Sequence, residues 1–107
     1  MDERTSNEPV IDPEEILEGI KTWVDIETPS HLGEEVNKLV DLVEKSMQAL
    51  GTEIIRVPGR DGYGDILKAK TSWGRPGEEK GILVLSHLDT VHPMDTINDP
   101  LPWKREG

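Results

Sequence analysis

Cysteine is absent from this chain, which excludes a disulfide framework and any thiolate metal site, so a zinc ion here falls to histidine and carboxylates. Phenylalanine is absent too. Aromatic residues make up 4% and apolar residues 34% of 107 positions, which leaves little material for a core. A short chain this polar starts with a small margin against conformational entropy. Basic residues are outnumbered, 12 against 22 acidic, and the net charge of −10 argues against nucleic acid and against an anionic membrane surface as partners. No stretch approaches a membrane span, and Met1 to Pro9 carries neither a basic n-region nor an apolar h-region. A cytoplasmic location is the resulting expectation. The acidity itself reads as solubility and identifies no substrate.

What is present begins with a polar tail over residues 1–10, followed from residue 11 by patterned sequence. Asp12-Pro13-Glu14-Glu15 predicts a helix start, with Asp12 as N-cap, Pro13 at the first helical position and Glu15 where a capping box places its acid. Ile16, Leu17, Ile20, Trp23 and Val24 follow at helical spacing, and Pro29 predicts an end near Glu27. The second helix has the clearest pattern: Leu32, Val36, Leu39, Val40, Val43, Met47 and Leu50 recur at three- and four-residue steps. Ser30 suits its cap, Glu34 and Glu35 its positive end, and Gly51 its left-handed stop. Thr52 to Val57 and Tyr63 to Lys70 read as two strands around a Pro58 to Gly62 turn, hence a hairpin. Residues 71–80, with Gly74, Pro76 and Gly77, read as a surface loop.

The densest signal lies at Gly81-Ile82-Leu83-Val84-Leu85-Ser86-His87-Leu88-Asp89-Thr90-Val91-His92-Pro93. Four consecutive aliphatic residues, Ile82 to Leu85, predict a strand over 82–86 covered on both faces, as in the parallel part of an α/β sheet. Polar residues begin where such a strand leaves the core. Alternation along an extended backbone sends His87 and Asp89 to one side and Leu88 to the other, so an imidazole and a carboxylate share one pocket. A neutral imidazole is a good zinc ligand, and a carboxylate accepting its other N–H fixes tautomer and orientation. Spacing alone does not decide whether Asp89 reaches the His87 ring directly.

The run Leu83 to Val91 resembles the first metal-binding motif of the co-catalytic zinc peptidases that include glutamate carboxypeptidases, aminoacylases and acetylornithine deacetylases. The wording His87-Leu88-Asp89-Thr90-Val91-His92-Pro93 is most similar to the glutamate carboxypeptidase branch, and Glu27-Thr28-Pro29-Ser30 and Gly64 to Ala69 resemble its upstream elements. The resemblance spans roughly residues 10–107 and is specific only at 83–93. It implies the N-terminal part, over residues 11–107, of a three-layer α/β/α catalytic domain with a mixed sheet. It further implies His87 as ligand to one of two zinc ions, Asp89 as the group orienting His87, and hydrolysis of an amide bond in a small peptide or N-acyl amino acid by a two-metal activated water. Cobalt or manganese suit the same ligand types. A homodimer is compatible with the family.

The remaining family ligands and the glutamate general base have no matching motif, so the chain reads as an N-terminal piece of a longer enzyme, inactive by itself. The competing reading is a non-catalytic interaction or structural module. His92 completes a local His-x-Asp-x-x-His pattern but precedes Pro93 in a loop, which favours a position at the rim of the site over a ligand role. His31 reads as exposed beside a helix cap. Asp95, Asp99 and Glu106 read as solvated loop acids, Asp65 as strand-edge polarity, and Trp23, Trp73 and Trp103 as packing or partner contacts.

Overall fold

A computed structural model of the chain describes residues 10–72 and 81–106, and the elements run α1 (Pro13–Val24), α2 (Gly33–Ala49), β1 (Glu53–Val57) and β2 (Ile66–Lys70). It is a small mixed α/β arrangement whose described sheet has two antiparallel strands. The tail expected over 1–10 lies outside the described residues except for an exposed Val10. So does most of the 71–80 loop, Trp73 included. Among the described residues no helix is long and apolar enough to cross a membrane.

Helix α1 starts as its sequence predicts: the Asp12 carboxylate accepts the Glu14 N–H at 3.0 Å, and Pro13 opens the first turn. It ends at Val24, three residues before Glu27. Among the described residues its apolar stripe is only partly covered. Leu17 and Trp23 are half-buried, while Ile16, Ile20 and Val24 remain exposed. A bidentate pair between Arg105 and Glu14 brings the C-terminal segment back to the first turn of this helix.

Helix α2 supplies the core. Val36, Leu39, Val40 and Val43 are its buried face, at the spacing that the sequence sets. Its far end stops at Gly51, whose φ of +77° is a left-handed conformation that glycine adopts without a Cβ penalty. At the near end the N-cap is Leu32, with no side-chain cap, because the Ser30 hydroxyl is engaged elsewhere. The Gly33 N–H instead bonds the Gly62 carbonyl at 2.8 Å, tying the helix start to the hairpin turn. Gly64 passes so close to α2 that a Cβ there would collide with the Val36 side chain.

The hairpin pairs Glu53 with Lys70 through Val57 with Ile66. Alternation turns Ile54, Arg56 and Leu67 toward partial burial and leaves Ile55, Val57 and Ile66 exposed. Arg56 staples the hairpin to α2: its guanidinium donates to Asp41 at 2.6 Å, Glu44 at 3.2 Å and Asp65 at 2.7 Å. Asp65 is therefore a joint rather than mere edge polarity. Its second oxygen accepts the Gly59 N–H at 2.8 Å, and the Asn37 side chain accepts the Asp65 N–H at 2.7 Å. The Gly59 N–H first, then Arg56, hold the Asp65 carboxyl below the usual carboxylate range, and the acids around Arg56 push its guanidinium further up.

The strand expected over 82–86, covered on both faces, does not form. Residues 81–89 join no ladder, and Ile82, Leu83, Val84 and Leu85 are 94%, 81%, 81% and 84% exposed. A parallel strand is buried only between two neighbouring strands and beneath helices, and the described sheet consists of the hairpin alone.

Replacing Asp65 with alanine is expected to destabilise the chain by about 1–2 kcal/mol, since it frees the Gly59 N–H and one arm of Arg56 at a part-exposed site. The depressed Asp65 value makes this contribution complete above the ordinary carboxylate range, near pH 4, and lost as pH falls through the folded value. Urea midpoints of the parent and Asp65→Ala should therefore converge in acid. A gap unchanged between about pH 7 and pH 3 would assign the effect to packing instead.

Candidate functional site

The link between α1 and α2 builds the site. Pro29 is fully buried and Thr28 is 2% exposed, so this short segment lies inside the fold, where it meets the chain downstream. It then pairs with the chain some sixty residues later, in a single parallel bridge between Pro29 and Thr90. The Ser30 N–H donates to the Thr90 carbonyl at 3.0 Å, the Thr90 N–H donates to the Thr28 carbonyl at 2.8 Å, and the Thr28 hydroxyl donates to the Leu88 carbonyl at 2.7 Å. Glu27 extends the contact: its two carboxylate oxygens accept the N–H groups of Asp95 and Ile97 at 2.7 and 2.9 Å. These bonds, Ile97 foremost, hold the Glu27 carboxyl below the ordinary range.

On this clamp stands the pair that the sequence singles out. The His87 Nδ1 lies 3.0 Å from Asp89 Oδ1, so the two side chains meet directly, which spacing had left open. Asp89 is half-buried with its side chain 35% exposed, whereas the His87 side chain is 90% exposed. The Ser30 hydroxyl donates to Asp89 Oδ2 at 2.5 Å. Thr90 O lies 3.0 Å from the same hydroxyl, which has one hydrogen, and the shorter charge-assisted bond takes it. Ser30 first, then the His87 ring, hold the Asp89 carboxyl below the usual carboxylate range. An ionised carboxylate only accepts, so the nitrogen facing it carries the ring hydrogen. The Nε2 lone pair of a neutral His87 is then the one left for a ligand.

An open groove of about 400 Å³ lies beside the pair, walled by Trp23, Ile26, Leu39, Ile97 and Leu101. His92 also borders it, exposed, in the rim position its loop context predicts. The residues expected to lie outside the site are placed as follows. His31, Asp99 and Glu106 are exposed, Asp95 sits in a turn where its side chain accepts the Asn98 amide at 3.3 Å, and Trp103 is half-buried. Sequence reasoning missed the roles of Glu27, Thr28 and Ser30, whose side chains hold the site from the far side. A capping signal was the available reading of Ser30, and nothing local to Glu27 marks its distant partners.

The donor chemistry fits zinc at one corner: an imidazole with Nδ1 braced by a carboxylate and Nε2 free. Among the described residues no group of three or more His, Asp or Glu is close enough to complete a coordination sphere. Comparison of the chain with protein-family models, with characterised proteins and with solved structures gives no match.

The expected behaviour of the chain toward metal follows from that count. Zinc should bind with a Kd weaker than about 1 μM, far from the affinity of a complete site, and His92→Ala should leave binding unchanged while His87→Ala reduces it. Isothermal titration reads all three. A stoichiometric sub-micromolar site that disappears in His92→Ala would make the local histidine pair a ligand set.

Proposed function

We propose that the chain is the N-terminal part of a metal-dependent amide hydrolase of the carboxypeptidase or aminoacylase kind, with His87 as a zinc ligand and Asp89 as the group that orients it. The observation that carries the reading is the braced imidazole: Nδ1 at 3.0 Å from Asp89 Oδ1, the ring otherwise 90% exposed. Zinc ions bound in such a site polarise an amide carbonyl and acidify a water molecule. His87 would hold one ion through Nε2. Asp89 would keep the ring turned and raise its basicity, and the Glu27–Ser30 link would keep Asp89 in place.

In this reading the bare Ile82 to Leu85 run is the central strand of a three-layer α/β/α domain, and the segments that cover it also bring the general base and the other ligands. The substrate class is a small peptide or N-acyl amino acid, and the setting is cytoplasmic. In this reading the chain supplies one metal ligand and its supporting carboxylate, and the general base comes from elsewhere in the enzyme. The second reading, a non-catalytic interaction module, draws on the same exposed run, which is also a surface for strand pairing with another protein.

Substitutions in the longer enzyme separate the two. His87→Ala should remove one zinc and nearly all amide hydrolysis. Asp89→Asn should keep metal content closer to normal and lower activity about 10- to 100-fold, the usual effect of losing a group that supports a ligand. Metal analysis beside kinetics distinguishes them. Retention of two zinc ions and near-normal turnover in His87→Ala would refute the assignment.

A further inference from the structure

Asp89 has two oxygens, and which of them meets His87 is fixed from outside the pair. Oδ2 accepts the Ser30 hydroxyl at 2.5 Å while Oδ1 faces the ring at 3.0 Å. Ser30 is placed for this by its own backbone, whose N–H bonds Thr90 at 3.0 Å, and by the buried Pro29 before it. Donor and acceptor are thus each anchored by the same parallel bridge, one on either side of it. A carboxylate free to rotate would present either oxygen, or neither, to an imidazole exposed to water.

We propose that Ser30 is a positioning residue for the His87–Asp89 pair: its hydroxyl locks the carboxylate so that Oδ1 holds the ring hydrogen on Nδ1 and Nε2 remains the only free nitrogen lone pair. The tautomer part stands on geometry alone. The consequence for metal rests on the function proposed above.

The test is ring ¹⁵N NMR of the chain labelled at histidine, at about pH 8, where an ordinary imidazole is neutral. In the parent the His87 ring should be mainly the Nδ1–H tautomer, although free histidine favours the opposite form. Ser30→Ala should move His87 toward the Nε2–H form and weaken zinc binding at the ring about 10-fold. Ser30→Thr, which keeps the hydroxyl, should retain the parent ratio. Unchanged Thr90 and Leu88 amide signals would show that the backbone clamp survives, which separates positioning from general loosening. Should Ser30→Ala lose its dispersed amide spectrum, Ser30→Cys serves in its place, since a thiol is a weaker donor at the same point and should give an intermediate ratio. A parent His87 in the Nε2–H form, or a ratio unmoved by the alanine or cysteine variant in a folded chain, overturns the proposal. A tautomer that shifts without any change in zinc binding supports Ser30 as the positioning residue and counts against the metal reading alone.

Discussion

The parallel bridge between Pro29 and Thr90 is the constraint on which the site depends. Residues 86–101 contain no strand or helix of their own, and what orders them beyond local turns is bonding to Glu27, Thr28 and Ser30. These contacts join residues 59 to 70 positions apart, so the entropy of closing a long loop is spent once and then shared by all of them. Pro29 suits the role because it cannot continue helix α1 and has no N–H to leave unpaired when buried. The residues on either side of it then supply two hydroxyls, one carbonyl and one N–H to residues 88–90.

How much of this was legible in the sequence follows from the range of each interaction. Asp12 and Pro13, the 36-39-40-43 face of α2, Gly51 and the hairpin are local patterns, and they appear where periodicity and turn chemistry place them. The His87–Asp89 contact is local too, two residues apart on an extended backbone. Ser30 and Glu27 were not legible because a hydroxyl ahead of a helix looks the same whether it caps that helix or reaches a carboxylate 59 residues on. Asp65 was misread for a related reason. Its partners Arg56, Gly59 and Asn37 converge only after the hairpin has packed on α2.

The Ile82 to Leu85 run shows the opposite failure, a correct local preference with no tertiary setting to realise it. A strand is defined by its neighbours, and among the described residues neither edge is paired and neither face is covered. Full burial of four aliphatic side chains is worth about 1.5–3 kcal/mol each, or about 6–12 kcal/mol together. That is as large as the net stability of an ordinary domain, about 5–15 kcal/mol. Covering this run would therefore contribute about as much as the whole net stability of such a domain, although the helices, the hairpin and the Pro29–Thr90 bridge stand without it.

The two members of the pair are held unequally. Asp89 is held by Ser30 and, through its neighbours Leu88 and Thr90, by Thr28 and the bridge, all of which exist in the described fold. His87 is reached from the other side, through the exposed backbone of residues 82–86. The carboxylate is thus held more firmly than the imidazole, and among the described residues the 3.0 Å contact with Asp89 is the hydrogen bond that braces a ring 90% exposed. Under the proposed function this asymmetry matters, because positioning a ligand within a fraction of an ångström needs support from packed neighbours on every side, and in the described fold the bare 82–85 run gives the imidazole none on its N-terminal side.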